Sequence, residues 1–136
     1  MFPAPSTPVA LAVGVDLVER ARLLQTYQRF GERFLRRVFT PTELDQAGGR
    51  IERLMGRFAA KEACAKALGT GIGAISWQEI EIGLQDSGKP HLRLSGWAAE
   101  RAHALGLSAF DVSISDTATH VMAVVVGVGA VGGERG

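Results

Sequence analysis

Gly56-Arg57-Phe58-Ala59-Ala60-Lys61-Glu62-Ala63-Cys64-Ala65-Lys66-Ala67-Leu68-Gly69-Thr70-Gly71 sets one carboxylate among basic residues on a segment that reads as helix. Just ahead of it and into it, Ile51, Leu54, Met55 and Phe58 recur at the i, i+3, i+4, i+7 spacing of an amphipathic helix. At about 100° per residue Glu62 falls about 40° from Phe58, so the apolar stripe aims a carboxylate inward. Burying an unpaired charge is costly, and the sequence is expected to supply a partner, either a lysine or a metal ion.

Working outward, this helix is expected over Arg50 to Leu68, closed by Gly69 as a left-handed C-cap, with Gly71 and Gly73 tightening the loop beyond. Thr40-Pro41-Thr42-Glu43 signals the start of a short helix ending near Gly48-Gly49, with Pro41 at the first helical position and Glu43 at the third. Nearer the N-terminus, Val9 to Val15 reads as a buried strand. Asp16-Leu17-Val18-Glu19 then resembles a capping box that opens a helix over Leu17 to Phe30.

Downstream, Ile80, Ile82 and Leu84 alternate with Glu79, Glu81 and Gln85, and Asp86-Ser87-Gly88 turns the chain into His91 to Leu94, a hairpin. A helix over Trp97 to Leu105, ended by Gly106, precedes two more strands at Ala109 to Ser115 and Thr119 to Val128. Residues 1–8, with three prolines, read as a flexible lead-in, residues 9–128 as one domain, and residues 129–136 as a flexible tail. Helices come mostly first and antiparallel strands last. The expected class is α+β, helices packed on a mainly antiparallel sheet in a single domain.

The chain has 136 residues, 46% hydrophobic and 21% charged, which suits one soluble globular core. No apolar run approaches the ~20 residues of a membrane helix, and Cys64, the one cysteine, has no internal disulfide partner, consistent with a reducing cytoplasm. The net charge of +1 hides an asymmetry: residues 20–66 hold eleven Lys/Arg against five Asp/Glu, and the remainder four against nine. Such a basic half expects an acidic partner, although a solvated basic face is the plainer reading. No nucleic-acid-binding motif accompanies it, so a phosphate-bearing ligand or an acidic protein ranks above nucleic acid.

Two carboxylates from separate segments, Asp16 and Glu62, could hold one hard cation through oxygen and leave positions open for phosphate and water, the habit of magnesium. Each has a simpler reading: Asp16 as a helix N-cap, and Glu62 as the i,i+4 partner of Lys66. Zinc is disfavoured, since His91, His103 and His120 form no ligand-like cluster and there is one cysteine. Lys61 and Lys66 flank Glu62, and the backbone amides of Gly69-Thr70-Gly71 could help to clamp a phosphate, though helix C-capping alone explains Gly69.

Gly14-Val15-Asp16-Leu17-Val18-Glu19, Arg57-Phe58-Ala59-Ala60-Lys61-Glu62-Ala63, Lys66-Ala67-Leu68-Gly69-Thr70-Gly71, Gly88-Lys89-Pro90 and Val112-Ser113-Ile114-Ser115 together closely resemble the holo-acyl-carrier-protein synthases, the small bacterial class of 4′-phosphopantetheinyl transferases. The resemblance implies transfer of the phosphopantetheine arm of coenzyme A to a serine of apo acyl carrier protein, for fatty acid biosynthesis, with release of adenosine 3′,5′-bisphosphate. It implies magnesium (Mg2+) at Asp16 and Glu62, phosphate oxygens steadied by Lys66, Lys61 and the Gly69-Thr70-Gly71 turn, and a base that is either Glu62 or a metal-bound water it orients. It also implies that Arg22, with Arg29 and Arg33, docks the acidic carrier protein, and that the chain forms a homotrimer with coenzyme A between neighbours.

One departure stands out. Many members read Ser-x-Ser-His where this chain has Ser113-Ile114-Ser115-Asp116, and an aspartate cannot donate a charged hydrogen bond to phosphate. Asp116 is more simply the start of a hairpin turn, and His120 lies too far along the strand to substitute. Two rival classes remain, a coenzyme A or nucleotide-binding module without activity and a nucleic-acid-binding domain, and neither requires the pair of carboxylates.

Overall fold

Eleven residues of alternating exposure, Val9–Glu19, form the first strand, β1, and the computed structural model describes the chain from this point, covering residues 9–130. The expected lead-in over 1–8 and the tail over 131–136 lie outside the described residues. Helices α1 (Arg20–Phe30), α2 (Glu32–Val38), α3 (Pro41–Ala47) and α4 (Ile51–Ala67) follow. A 3₁₀ turn at Trp77–Glu79 leads into the hairpin β2 (Ile80–Leu84) and β3 (Pro90–Leu94), then α5 (Gly96–Ala104), β4 (Ala109–Asp116) and β5 (His120–Ala130). The strands form two antiparallel sheets, one ordered β1-β5-β4 and the other the β2-β3 hairpin, so the α+β class holds.

Several boundaries differ from the sequence reading. β1 does not stop at Val15 but runs through Asp16 to Glu19, and the N-cap of α1 is Glu19, which makes no side-chain capping bond. Pairing with β5 over the whole length, from Val9 opposite Ala130 to Glu19 opposite His120, outweighs the local capping signal. Gly129 and Ala130, read as the start of a loose tail, are the last residues of β5. Helix α2 is additional; Gly31, at φ 59°, bends the chain between α1 and α2 in a conformation other residues rarely adopt.

Helix α4 packs across the large sheet, and small residues set how closely. A Cβ on Gly14 would stand 1.9 Å from the carbonyl oxygen of Ala63, so β1 and α4 are in backbone contact there. A Cβ on Gly56 would lie 2.8 Å from Ile114 Cγ2, which brings β4 against the other end of the helix. Ala59, Ala60, Ala63 and Cys64 of α4 are fully buried along this path.

The inward charges on α4 are Arg57 and Lys61, not Glu62. Lys61 is fully buried and its Nζ lies 2.8 Å from Oε1 of the equally buried Glu43. The same ammonium donates to the carbonyl oxygens of Trp77 at 3.0 Å and Ile80 at 2.5 Å, so all its protons are used. Glu43 closes the expected capping box on α3, accepting from the Thr40 amide at 2.8 Å, and also accepts from the Ile82 amide at 2.6 Å. The stripe misled because α4 is buried on most of its surface, including Arg57 and Lys61, while Phe58 is only half-buried. A residue one turn from Phe58 therefore sits at the rim of the core.

Burial also controls the cysteine: the Cys64 thiol is pushed up to about 12, mainly by desolvation, with the Lys61 charge opposing. Native protein at pH 8 is expected to resist iodoacetamide, with labelling becoming complete in guanidinium chloride; rapid stoichiometric labelling of the native state would contradict this burial.

The outer face of the large sheet is apolar over β1 and β5 and polar on β4, where it carries Asp111, Ser113 and Ser115. Val9, Leu11, Val13, Val15 and Leu17 of β1 are between 50% and 71% exposed, and Leu11 and Leu17 stand opposite Val128 and Met122 of β5, themselves exposed. Val9 to Val15 was expected to form a buried strand; within one chain only the inward face of β1 is covered.

Candidate active site

Asp16 lies on the inward face of β1, opposite Ala123, with its side chain 13% exposed. Because α1 begins only at Arg20, Asp16 has no helix to cap, and the simpler reading of this residue is removed. Glu62 reaches the same place from α4, where it is half-buried. Its carboxyl is held above the ordinary value, first by desolvation and second by the Asp16 carboxylate, with Lys66 pulling the other way. The close packing of β1 on α4 at Gly14 thus brings the two acids together.

Lys66, one turn beyond Glu62 on α4, donates to Asp16 Oδ1 at 3.0 Å and to the Val15 carbonyl oxygen at 3.1 Å. Its nearest carboxylate partner is therefore on β1 and not at i,i+4. Asp16, Glu62 and Lys66 form one cluster at the junction of strand and helix, and Lys66 is its exposed member.

Two of the expected phosphate contacts need correction. Lys61 cannot reach a ligand, since its ammonium is enclosed by Glu43, Trp77 and Ile80. The backbone amides of Gly69, Thr70 and Gly71 are not free donors, because they cap α4: Gly69 N donates to Lys66 O, and Thr70 N and Gly71 N donate to Ala65 O. Gly69 and Gly71 adopt φ of 76° and 69°, the conformations this cap requires. The turn does keep one unspent polar group, the Thr70 hydroxyl, the single buried side-chain polar atom among the described residues with no hydrogen-bond partner. Beside it, Arg101 of α5 donates from Nε to the Leu68 carbonyl oxygen at 2.9 Å. Nothing in the sequence around Arg101 signals this proximity, which arises from the packing of α5.

The arginines expected to dock a carrier lie along α1 and α2. Arg22 is 81% exposed on its side chain and only loosely paired with Glu19, at 3.9 Å. Arg22 and Arg29 line a groove of about 590 Å³ together with Leu17, Phe30 and Phe58, and Arg29 also stacks over the Phe30 ring at 5.1 Å. Arg33 borders a neighbouring apolar groove of about 380 Å³ whose floor includes the stacked Phe58 and Trp77 rings. Phe58 belongs to both grooves and stands one turn from Glu62, so the basic surface adjoins the carboxylate cluster.

Asp116 does not begin the turn after β4 but ends the strand, with Oδ2 3.6 Å from Arg20 Nη1. His120 starts β5 opposite Glu19, on the face of the sheet that carries Met122 and away from Asp16. Lys89 of the Gly88-Lys89-Pro90 turn ties the small sheet to the large one through Asp111, at 2.7 Å. Among the described residues there is no group of three or more His, Cys, Asp or Glu arranged to hold a metal.

Residues 12–125 match the model of the 4′-phosphopantetheinyl transferase superfamily. A holo-[acyl-carrier-protein] synthase from Herpetosiphon aurantiacus is 44% identical over 126 residues, covering 88% of this chain and 99% of that protein. Among solved structures, the holo-[acyl-carrier-protein] synthase of Neisseria meningitidis superposes with a TM-score of 0.77 at 38% identity, covering 85% of this chain and 96% of that one. The Helicobacter pylori synthase, solved in complex with coenzyme A, gives 0.76 at 34% identity, covering 85% of this chain and 98% of that one.

Proposed function

The chain belongs to the 4′-phosphopantetheinyl transferase superfamily, as a transferase of the holo-acyl-carrier-protein synthase kind, and from that footing we propose that it moves 4′-phosphopantetheine from coenzyme A to a serine of apo acyl carrier protein, with Mg2+ at Asp16 and Glu62 and adenosine 3′,5′-bisphosphate as the product. The observation that carries this reading is the meeting of Asp16 and Glu62 beside Lys66. Two adjoining carboxylates, one of them already short of charge stabilisation, suit a hard divalent cation with oxygen ligands better than any softer metal. When bound, the ion supplies Lewis-acid polarisation of the phosphoryl oxygens and offsets charge on the leaving group.

The chain's own residues do the rest. A bond forms between the serine Oγ and the phosphorus of the pantetheine phosphate as the bond from that phosphorus to the adenosine bisphosphate oxygen breaks. The serine proton passes to Glu62, directly or through a water that Glu62 orients. Lys66, exposed on a long stem, serves the phosphate oxygens, and the Thr70 hydroxyl at the end of the same helix offers a further donor.

Arg22, Arg29 and Arg33 present the positive face that an acidic carrier needs. Arg22→Glu is expected to raise KM for the carrier about tenfold and to leave coenzyme A affinity unchanged. Titration of each substrate checks this, and unchanged carrier kinetics would remove Arg22 from the docking surface.

The carrier proteins of fatty acid biosynthesis are the substrates assigned here. The free, buried Cys64 suits a reducing cytoplasm, and among the described residues no helix is long and apolar enough to cross a membrane. The apolar outer face of β1 and β5 supports a homotrimer, because such a patch costs free energy in water until another copy covers it. Light scattering reads the oligomer directly; a mass of 14.4 kDa, that of one chain, argues against the trimer. The activity test is incubation with coenzyme A, magnesium and apo carrier, read as phosphopantetheine mass on the carrier. No gain with several carriers, alongside tight coenzyme A binding, would leave a binding module instead.

A further inference from the structure

Lys66 is placed unusually for a residue whose task is to meet a substrate phosphate. Its ammonium is 3.0 Å from Asp16 Oδ1 and 3.1 Å from the Val15 carbonyl oxygen, so it sits on the carboxylate assigned to the metal. Its charge is also felt at Glu62, the other acid of the pair. The cluster already contains a cation, tethered to α4 by a flexible side chain that is 54% exposed. Asp16 is by contrast 13% exposed, so Lys66 can leave into solvent while Asp16 stays in place.

We infer that Lys66 is a displaceable internal counter-ion, which a divalent cation must drive off Asp16 and which is thereby released toward the substrate's pyrophosphate, making metal and coenzyme A bind cooperatively. The inference rests on the reading of Asp16 and Glu62 as the metal pair. Its physical basis is competition between two cations for one carboxylate, followed by reuse of the displaced one. While Lys66 is held by Asp16 its charge is spent, and coenzyme A meets a cluster that is net negative. Once a divalent ion occupies the carboxylates the ammonium has lost its partner, and a phosphate oxygen is the nearest strong replacement. By linkage the effect is reciprocal: coenzyme A that engages Lys66 draws it from Asp16 and raises the affinity for the ion.

The test uses Mn2+ as the probe, followed by the loss of the free-ion paramagnetic resonance signal, with the whole protein at low ionic strength. Wild type, Lys66→Met and Lys66→Arg are compared, each with coenzyme A affinity measured calorimetrically in the presence and absence of Mn2+. Removing a competing unit charge at about 3 Å from Asp16, across a largely solvated gap, is expected to tighten Mn2+ binding about tenfold in Lys66→Met. Lys66→Arg, which keeps the charge, is expected to bind Mn2+ like wild type. In wild type Mn2+ should tighten coenzyme A binding more than it does in Lys66→Met, where the coupling factor falls by about the same tenfold. Equal or weaker Mn2+ binding by Lys66→Met, with clear binding by wild type, overturns the counter-ion role and leaves the metal pair standing. Absence of Mn2+ binding in all three proteins removes the metal pair itself, and the counter-ion role with it.

Discussion

Lys61→Ala is expected to lower the free energy of unfolding by about 3–5 kcal/mol, the cost of stripping one partner from a buried ion pair. The ammonium satisfies Glu43 Oε1 and the carbonyl oxygens of Trp77 and Ile80, all within the core. Without it, Glu43 remains fully buried with two backbone amides on its carboxylate and, of the opposing charges, only the Arg57 guanidinium, which bonds its carbonyl oxygen rather than its carboxylate. The two carbonyls lose a donor as well, and the side-chain volume becomes a cavity. Burial already holds the Lys61 ammonium below the usual lysine range despite Glu43, so the pair is held under desolvation strain. Urea denaturation measures the loss; a change under about 1 kcal/mol would mean that Glu43 finds another partner. The double variant Lys61→Met/Glu43→Gln separates charge from packing. It keeps the capping geometry of α3 while removing both charges, and it is expected to recover a large part of the single-variant loss.

Glu62→Gln is expected to reduce phosphopantetheine transfer about 10²–10³-fold, the usual effect of deleting one preorganised electrostatic group from a transition-state site. The same variant should be at least as stable as wild type. The sign follows from the direction of the shift: desolvation and Asp16 raise the Glu62 carboxyl in the folded chain, so the ionised form is less favourable there than in the unfolded chain. That penalty is absent below the unfolded value, grows as pH rises from there and is complete above the raised folded value. A glutamine never carries the charge and escapes the penalty. Thermal melts and carrier mass spectrometry on the same sample decide the matter. Loss of stability together with activity would make Glu62 a structural residue, and retained activity would remove it from the chemistry.

How far these features could be read beforehand varies with the range of the interaction. The Thr40-Glu43 capping box is local, and it stands as read. That Glu43 also neutralises Lys61 is a contact between α3 and α4 across eighteen residues, invisible to any short window. Helix α2 escaped because seven residues give too little periodicity and a glycine separates it from α1. Asp16 was legible as a member of a motif, but its setting was not. A capping pattern and a strand continuation compete over Asp16 to Glu19, and pairing with β5 decides between them. The neighbourhood of Glu62 was misassigned by a wheel drawn from four residues, since the buried surface of α4 is far wider than the stripe. Arg101 was beyond reach altogether, as its position depends on where α5 docks.

β1 sorts its two faces by volume. Ala10, Ala12 and Gly14 point inward while Leu11, Val13 and Val15 point outward, so both faces are apolar up to Asp16 but only one is small. In a two-residue repeat, a slip of one position against β5 would drive the large side chains onto Ala63 and Ala67, where even a single added carbon has no room. Correct pairing is thus enforced by steric exclusion, with no ligand needed to select it. The aspartate is delivered to its glutamate as a by-product of that filter, in the same act that lets the strand close on the helix.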